Sequence, residues 1–231
     1  MAENRFFLDA HFLKGSDHLL IGEEHHHLSK VMRNEVGDTV ELVNGKNQLA
    51  IAKITRLEKR ETHLHLENVT EKKPSTSLIL AQGLTRPKNL DLIIEKGTEL
   101  GATAFYLFPA ERSEKKELSD NQKIRLKTLS ISAMKQCGRL DLPTIELMPP
   151  LKEWEPLKGR LLFGDLSPNA PPLTSSPEEA TIFIGPEKGL SPSEIDLLQN
   201  TLNAKGIRLS RNILRAETAA ICSLSLLATY D

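Results

Sequence analysis

Gly185-Pro186-Glu187-Lys188-Gly189 places two glycines around three residues, a spacing that lets backbone approach a ligand closely. A second stretch, L-S-R-N-I-L-R-A-E-T-A from Leu209 to Ala219, holds a cation, Arg215, and a carboxylate, Glu217, two residues apart. Asn212 reads as the N-cap of a helix that follows a three-residue strand, which puts Arg215 in the first turn. A cation there opposes the helix dipole and adds nothing to local stability. Its position points to a role other than folding.

Both stretches need elements to hold them. Thr181 to Ile184 is a short β-branched and aromatic run ending at Gly-Pro, the pattern of a buried strand. Ser191, Pro192 and Glu194 then read as a capping box, so the glycine loop lies between a strand end and a helix start, where open α/β sheets bind ligands. Upstream, Leu78–Leu84, Ala104–Phe108 and Arg160–Phe163 read as strands, and Asn89–Leu100 and Asp120–Gln136 as helices, which predicts a parallel sheet covered on both faces. A loop with Pro168, Pro171, Pro172 and Pro177 precedes the Thr181 strand. Before a polar junction at Glu71–Ser75, the runs Thr39–Val43, Gln48–Leu57 and Thr62–Asn68 predict a small β-barrel with a hairpin turn at Asn44-Gly45. After Ile213 the apolar character spreads around the helix, and Ile221, Leu224, Leu227 and Ala228 predict an apolar dimer face.

G-P-E-K-G-L-S-P-S-E (Gly185 to Glu194) and L-S-R-N-I-L-R-A-E-T-A together resemble the two signature loops of the RsmE-type ribosomal RNA uridine methyltransferases, of the SPOUT class of S-adenosylmethionine (SAM) enzymes. The resemblance extends to H-H-L-S-K-V-M-R (His26 to Arg33), E-L-G-A (Glu99 to Ala102), S-E-K-K (Ser113 to Lys116) and K-Q-C-G-R (Lys135 to Arg139), and so covers nearly the whole chain. It implies an α/β protein: an N-terminal PUA-like β-barrel over residues 1–72 that positions RNA, then a C-terminal SPOUT parallel α/β domain over residues 76–231 with a trefoil knot, which binds SAM and dimerises.

On that resemblance, SAM sits against Phe163, Gly164, Ile184, Gly185, Pro186, Glu187, Gly189, Leu209, Ser210, Ile213 and Leu214. The implied reaction is methyl transfer to N3 of a uridine in 16S ribosomal RNA of the small subunit. Arg215 would stabilise charge growing on the uracil oxygens, and Glu217 is the nearest carboxylate for the N3 proton. Arg33, Lys115, Lys116, Arg139 and Arg211 are the implied RNA contacts, and the protein is expected to be a homodimer. The same loops would serve a SPOUT enzyme acting on another base or a ribose hydroxyl. A non-catalytic RNA-binding assembly factor is the reading from a different class.

Four positions depart from the family pattern: Lys188 and Ser210 stand at glycine positions, Asn212 at an arginine and Ala216 at a threonine. Side chains at 188 and 210 would be strained if the backbone there needs positive φ. Arg211, beside Asn212, can supply the missing cation.

Bulk properties exclude more than they identify. The chain has 231 residues, 39% of them hydrophobic, and a net charge of −1, so any RNA surface is a local patch. Lys115 to Arg139 is the basic stretch, with only Glu117 and Asp120 opposing its cations. Cys137 and Cys222 are single and far apart, which excludes a disulfide framework and a CxxC zinc site and fits a cytoplasmic protein. The N-terminus lacks the apolar core of a signal peptide, and no membrane span is expected. His25, His26 and His27 are adjacent and diverge, while His63 and His65 share a strand face as a surface pair, so no metal site is expected. Neither G-x-G-x-x-G nor G-x-x-x-x-G-K-[ST] occurs, which argues against a dinucleotide Rossmann site and a P-loop.

Overall fold

The computed structural model describes residues 4–175 and 178–228. Pro177, named in the sequence analysis, lies outside the described residues. The chain divides into two compact units, Met1–Pro74 with Ile131–Leu142 and Ser75–Ser130 with Pro143–Asp231.

The first unit is a five-stranded sheet of β1 (Arg5–Phe7), β2 (Asp17–Ile21), β3 (Thr39–Val43), β4 (Gln48–Leu57) and β5 (Glu61–Glu71), in the order β1-β3-β4-β5-β2. The pairings are antiparallel except β1 with β3. Alternation along β4 and β5 sends Ala50, Ala52, Ile54, Leu64 and Leu66 inward onto Phe6, Phe12 and Leu42. The sheet is curled, with β1 and β2 as its edges. Neither edge strand was read from the sequence.

The expected turn at Asn44-Gly45 joins β3 to β4. The Asn44 side chain accepts from Lys46 N (2.8 Å) and donates to Gln48 Oε1 (2.7 Å). Gly45 has φ +69°, and a Cβ there would lie 2.8 Å from Leu142 Cβ, so both conformation and a close approach require glycine. The three adjacent histidines enter α1 (Gly22–His26) and a following π turn, and they diverge as expected: His25 is buried against Thr62 Oγ1 (2.8 Å) while His26 is exposed.

The second unit is an all-parallel sheet of β6 (Leu78–Gly83), β7 (Ala104–Phe108), β8 (Thr144–Leu147), β9 (Arg160–Gly164), β10 (Ala180–Ile184) and β11 (Lys205–Ile207), ordered β11-β9-β10-β6-β7-β8. Its central strands are buried and mostly apolar because both faces are covered, and neighbouring residues go to opposite cores. Leu80, Leu107, Leu162 and Ile182 face α2 (Pro87–Glu99) and α5 (Ala216–Leu227). Ala81, Phe108, Phe163 and Phe183 face Trp154 and α4 (Pro192–Asn200). Trp154 packs edge-on to Phe108 at 5.7 Å and tilted on Phe183 at 5.4 Å. A further helix, α3 (Asp120–Cys137), follows β7. Among the described residues no helix is long and apolar enough to cross a membrane.

Two sequence expectations are corrected here. β11 is Lys205–Ile207, and the chain is then irregular until α5 begins at Ala216, so Asn212 is not the N-cap. Ser210 Oγ accepts from Asn212 N (3.2 Å) and closes a local turn instead. Arg215 is the N-cap, with extended backbone and no side-chain cap bond. The second correction concerns the dimer face: Leu224 and Leu227 are buried inside the subunit, with α5 packed on α2, β6 and β10. Leu226 is the large apolar residue that α5 leaves exposed.

The α2–α5 contact generates a prediction. Gly97 lies within α2, where alanine ordinarily favours a helix by about 1 kcal/mol over glycine. A Cβ here would stand 2.6 Å from Phe105 Cε1 and 3.1 Å from Leu224 Cδ1. Overpacking of this kind costs about 1–3 kcal/mol and outweighs the propensity gain. Gly97→Ala is therefore expected to lower the melting temperature by several degrees, and an equal or higher value in thermal unfolding contradicts the packing described.

Candidate cofactor site

β11, β9 and β10 are neighbours in one parallel sheet, so the loops leaving their carboxyl ends meet at one edge. Residues 165–168 follow β9, 185–190 follow β10 and 208–214 follow β11. Together with the starts of α4 and α5 they line a cavity of about 760 Å³, within the size range of small-molecule and cofactor sites. The glycines have distinct causes. A Cβ at Gly185 would fall 2.6 Å from Leu190 N, because the loop folds back onto its own backbone. Gly189 has open space around it and φ +71°, so its requirement is conformational.

The loop after β10 is held from several sides. The Gln82 side-chain amide, buried at the end of β6, donates to Gly185 O (3.1 Å) and Ile184 O (3.3 Å). Glu187 Oε1 accepts from Arg86 N (2.9 Å) and Asn89 Nδ2 (3.0 Å) at the start of α2, where a carboxylate suits the helix dipole. Arg112 donates to the carbonyls of Lys188 (3.2 Å) and Leu190 (3.1 Å).

The expected capping box at Ser191 and Glu194 is present, with Ser191 Oγ accepting from Glu194 N (3.1 Å) and Glu194 Oε2 accepting from Ser191 N (2.8 Å). The other oxygen of Glu194, a side chain in a residue only 5% exposed, accepts from Glu111 N (2.8 Å). That bond joins the loop after β7 to the loop after β10. Ser193 Oγ bonds the Glu111 carboxylate at 2.9 Å, and the hydroxyls of Ser191 and Ser193 hold the Glu111 carboxyl below the usual carboxylate range. Arg86 does the same to Glu114 through hydrogen bonds at 3.0 and 3.2 Å.

Of the residues named from the sequence, Gly164, Ile184, Gly185, Pro186, Glu187, Gly189, Leu209, Ser210, Ile213, Leu214 and Arg211 all line the cavity. Phe163 does not; its ring is fully buried against the opposite core. Arg215 is exposed at the N-cap of α5 and Glu217 half-buried in its first turn, while Ala216 and Ala219 reach the cavity wall. Lys116 Nζ bonds Ala110 O and Glu111 O (2.9 Å), which fixes its own loop, and Lys115 is exposed. In the first unit Arg139 is ion-paired with Asp141, and Arg33 is exposed with φ +56°.

Lys188 and Ser210 are not among the residues with positive φ, so the strain that their glycine positions suggested is absent. Gln82, Glu111 and Arg112 were missed by sequence reasoning. Their signal is spatial, since they sit at the ends of β6 and β7, more than 70 positions from the loop they hold. Glu58, Glu61 and His63 bring ligand atoms within 4.8 Å of one another on the first unit, a cluster the sequence reading also passed over. Its His63 Nε2 lies 3.0 Å from Glu61 Oε1, an ion-pair distance.

Residues 71–228 match the family model of the RNA methyltransferase domain, and residues 20–67 that of the RNA methyltransferase PUA domain. The chain is 29% identical over 235 residues to the ribosomal RNA small subunit methyltransferase E of Rickettsia conorii, covering 97% of this chain and 95% of that one. It is 31% identical over 182 residues to the enzyme of the same name from Helicobacter pylori, covering 75% of this chain and 78% of that one. Its fold matches the structure of Lpg2936 from Legionella pneumophila, solved in complex with SAM, with a TM-score of 0.80 and 26% identity over 97% of this chain and 96% of that one. The strand-end cavity thus lies inside the matched catalytic-type domain, and the chain belongs to the RNA methyltransferase family that includes the ribosomal RNA small subunit methyltransferases E.

Proposed function

We propose that this protein is a SAM-dependent methyltransferase that methylates N3 of a uridine in 16S ribosomal RNA of the small subunit. The observation that carries the reading is the 760 Å³ cavity at the carboxyl ends of β9, β10 and β11, in a chain whose relatives are named for this class of substrate. The residues present suit the cofactor. Gly185 and Gly189 let the loop after β10 fold back at the cavity edge, and Ile184, Leu209 and Leu214 offer apolar wall. When bound, SAM supplies a methyl group activated by its sulfonium.

The chain's own residues then have three tasks. The loops after β9, β10 and β11 hold the reactants aligned and keep water away. Arg215 stabilises the negative charge that develops on the uracil oxygens once N3 loses its proton, and Glu217 takes that proton. The first unit, which matches the PUA domain, positions the RNA.

Further parts of the reading share this support. α5 packs on α2, β6 and β10, although β11, which precedes it, lies beyond β9. The segment between must cross the ends of β9 and β10, and that crossing is the element of the trefoil knot we propose. Leu226, exposed on α5, favours a homodimer that covers it, and a cytoplasmic location follows from the substrate.

The experiment is methylation of small subunits lacking the modification, with purified protein and SAM, read by nucleoside mass spectrometry. The expected product is N3-methyluridine. A methyl group on another base or a ribose oxygen replaces the substrate reading, and no transfer at all leaves a non-catalytic RNA-binding protein.

Arg215→Ala is expected to slow single-turnover methyl transfer by about a hundredfold, the scale of one lost electrostatic donor, with SAM affinity by calorimetry nearly unchanged. Normal turnover with a lowered melting temperature makes Arg215 structural instead.

A further inference from the structure

The rim of the cavity carries more positive charge than its partners neutralise. Arg112, Lys188, Arg208 and Arg211 line it against Asp165 and Glu187. Both acids already have donors: Asp165 accepts from the N–H and hydroxyl of Ser167 at 2.8 Å each, and Glu187 is taken by Arg86 N and Asn89. Among the described residues Arg112 and Arg208 donate hydrogen bonds only to carbonyls, which fixes their direction without an ion pair.

Lys188 and Arg211 differ from these. Both are exposed, and among the described residues neither side chain makes a hydrogen bond or an ion pair. Glu114, whose carboxyl Lys188 helps to hold low from a distance, is bonded through both oxygens to Arg86. The backbone carbonyl of Lys188 is clamped by Arg112, so a free ammonium hangs from an anchored peptide. No hydrogen bond or ion pair within the described residues accounts for two cations on the rim of one cavity.

The neighbouring surface narrows the ligand. Leu166 and Ile213, 71% and 80% exposed, line the same cavity. An amphiphilic ligand that puts flat apolar faces beside a repeated negative charge satisfies both features, and single-stranded RNA is that ligand.

We infer that Lys188 and Arg211 are a pair of RNA phosphate contacts at the cofactor cavity, bracketing the nucleotide that enters it, with Leu166 and Ile213 against base faces. The inference rests on the RNA methyltransferase reading above and adds a substrate subsite to it. Lysine suits the position as a mobile point charge, while Arg211 offers several donors on a planar fork.

The test is fluorescence anisotropy of a labelled, uridine-containing single-stranded RNA with the full chain across a salt series. Each phosphate contact contributes about 0.7 to the slope of log K against log salt for a single strand. Lys188→Gln and Arg211→Gln are each expected to flatten the slope by about 0.7, with SAM affinity and melting temperature unchanged. Lys152→Gln removes an exposed cation that does not line the cavity, and it should leave the slope as it is. An unchanged slope in Lys188→Gln, or an equal loss in Lys152→Gln, overturns the inference and leaves the methyltransferase reading standing. Weakened SAM binding in place of the slope change also overturns it, since the cation would then serve the cofactor carboxylate. If the unaltered protein shows no salt-dependent RNA binding, the substrate reading fails and this subsite with it.

Discussion

One buried carboxylate decides where the cofactor loop lies. Glu194 accepts from Ser191 N with one oxygen and from Glu111 N with the other, so it closes the start of α4 and joins the loop after β7 to the loop after β10. Both partners are backbone N–H groups; that of Ser191 is bonded in a buried setting, where leaving such a donor unpaired costs about 1–3 kcal/mol. Once Glu194 is in place, Arg112 reaches the carbonyls of Lys188 and Leu190, and Gln82 and Glu187 hold the same loop from β6 and α2. The site is therefore set by elements on both sides of the loop, and glycine at 185 and 189 makes the fold-back sterically possible.

The sheet order gives this pinning its consequence. With β9 and β10 adjacent and β11 outside β9, three loops distant in sequence become neighbours, and the chain must pass across their ends to bring α5 back onto α2. Ala216 and Ala219, at the start of α5, then form part of the cavity wall. Small residues at those positions keep the helix close to the loops without filling the space between them.

Much of this was readable from residue patterns, for physical reasons that differ by element. β7 (Ala104–Phe108) is bounded by turn signals and apolar on both faces, and its predicted and observed limits coincide. The α4 cap was legible because Ser191, Pro192 and Glu194 act on one another within a single turn. The start of α5 was misplaced because Asn212 is an equally good cap on local grounds, and the Ser210 turn and the packing that decide the matter are not local. Leu224 and Leu227 follow helical spacing whether they face a second copy or their own sheet, so periodicity alone could not tell the two apart. The bonds from Glu111, Arg112 and Gln82 cross between strands far apart in sequence, and local patterns contain no trace of them.

The most direct test is SAM binding by calorimetry in the unaltered chain and in Glu194→Gln. Glutamine keeps the size of the side chain but can accept with only one of its two terminal atoms, so its amide N–H meets either Ser191 N–H or Glu111 N–H. The unaltered protein is expected to bind SAM, and Glu194→Gln to remain folded with affinity lowered about tenfold or more, the effect of about 1.4 kcal/mol in loop placement. Unchanged affinity in a folded Glu194→Gln protein, or no SAM binding by the unaltered chain, contradicts the account.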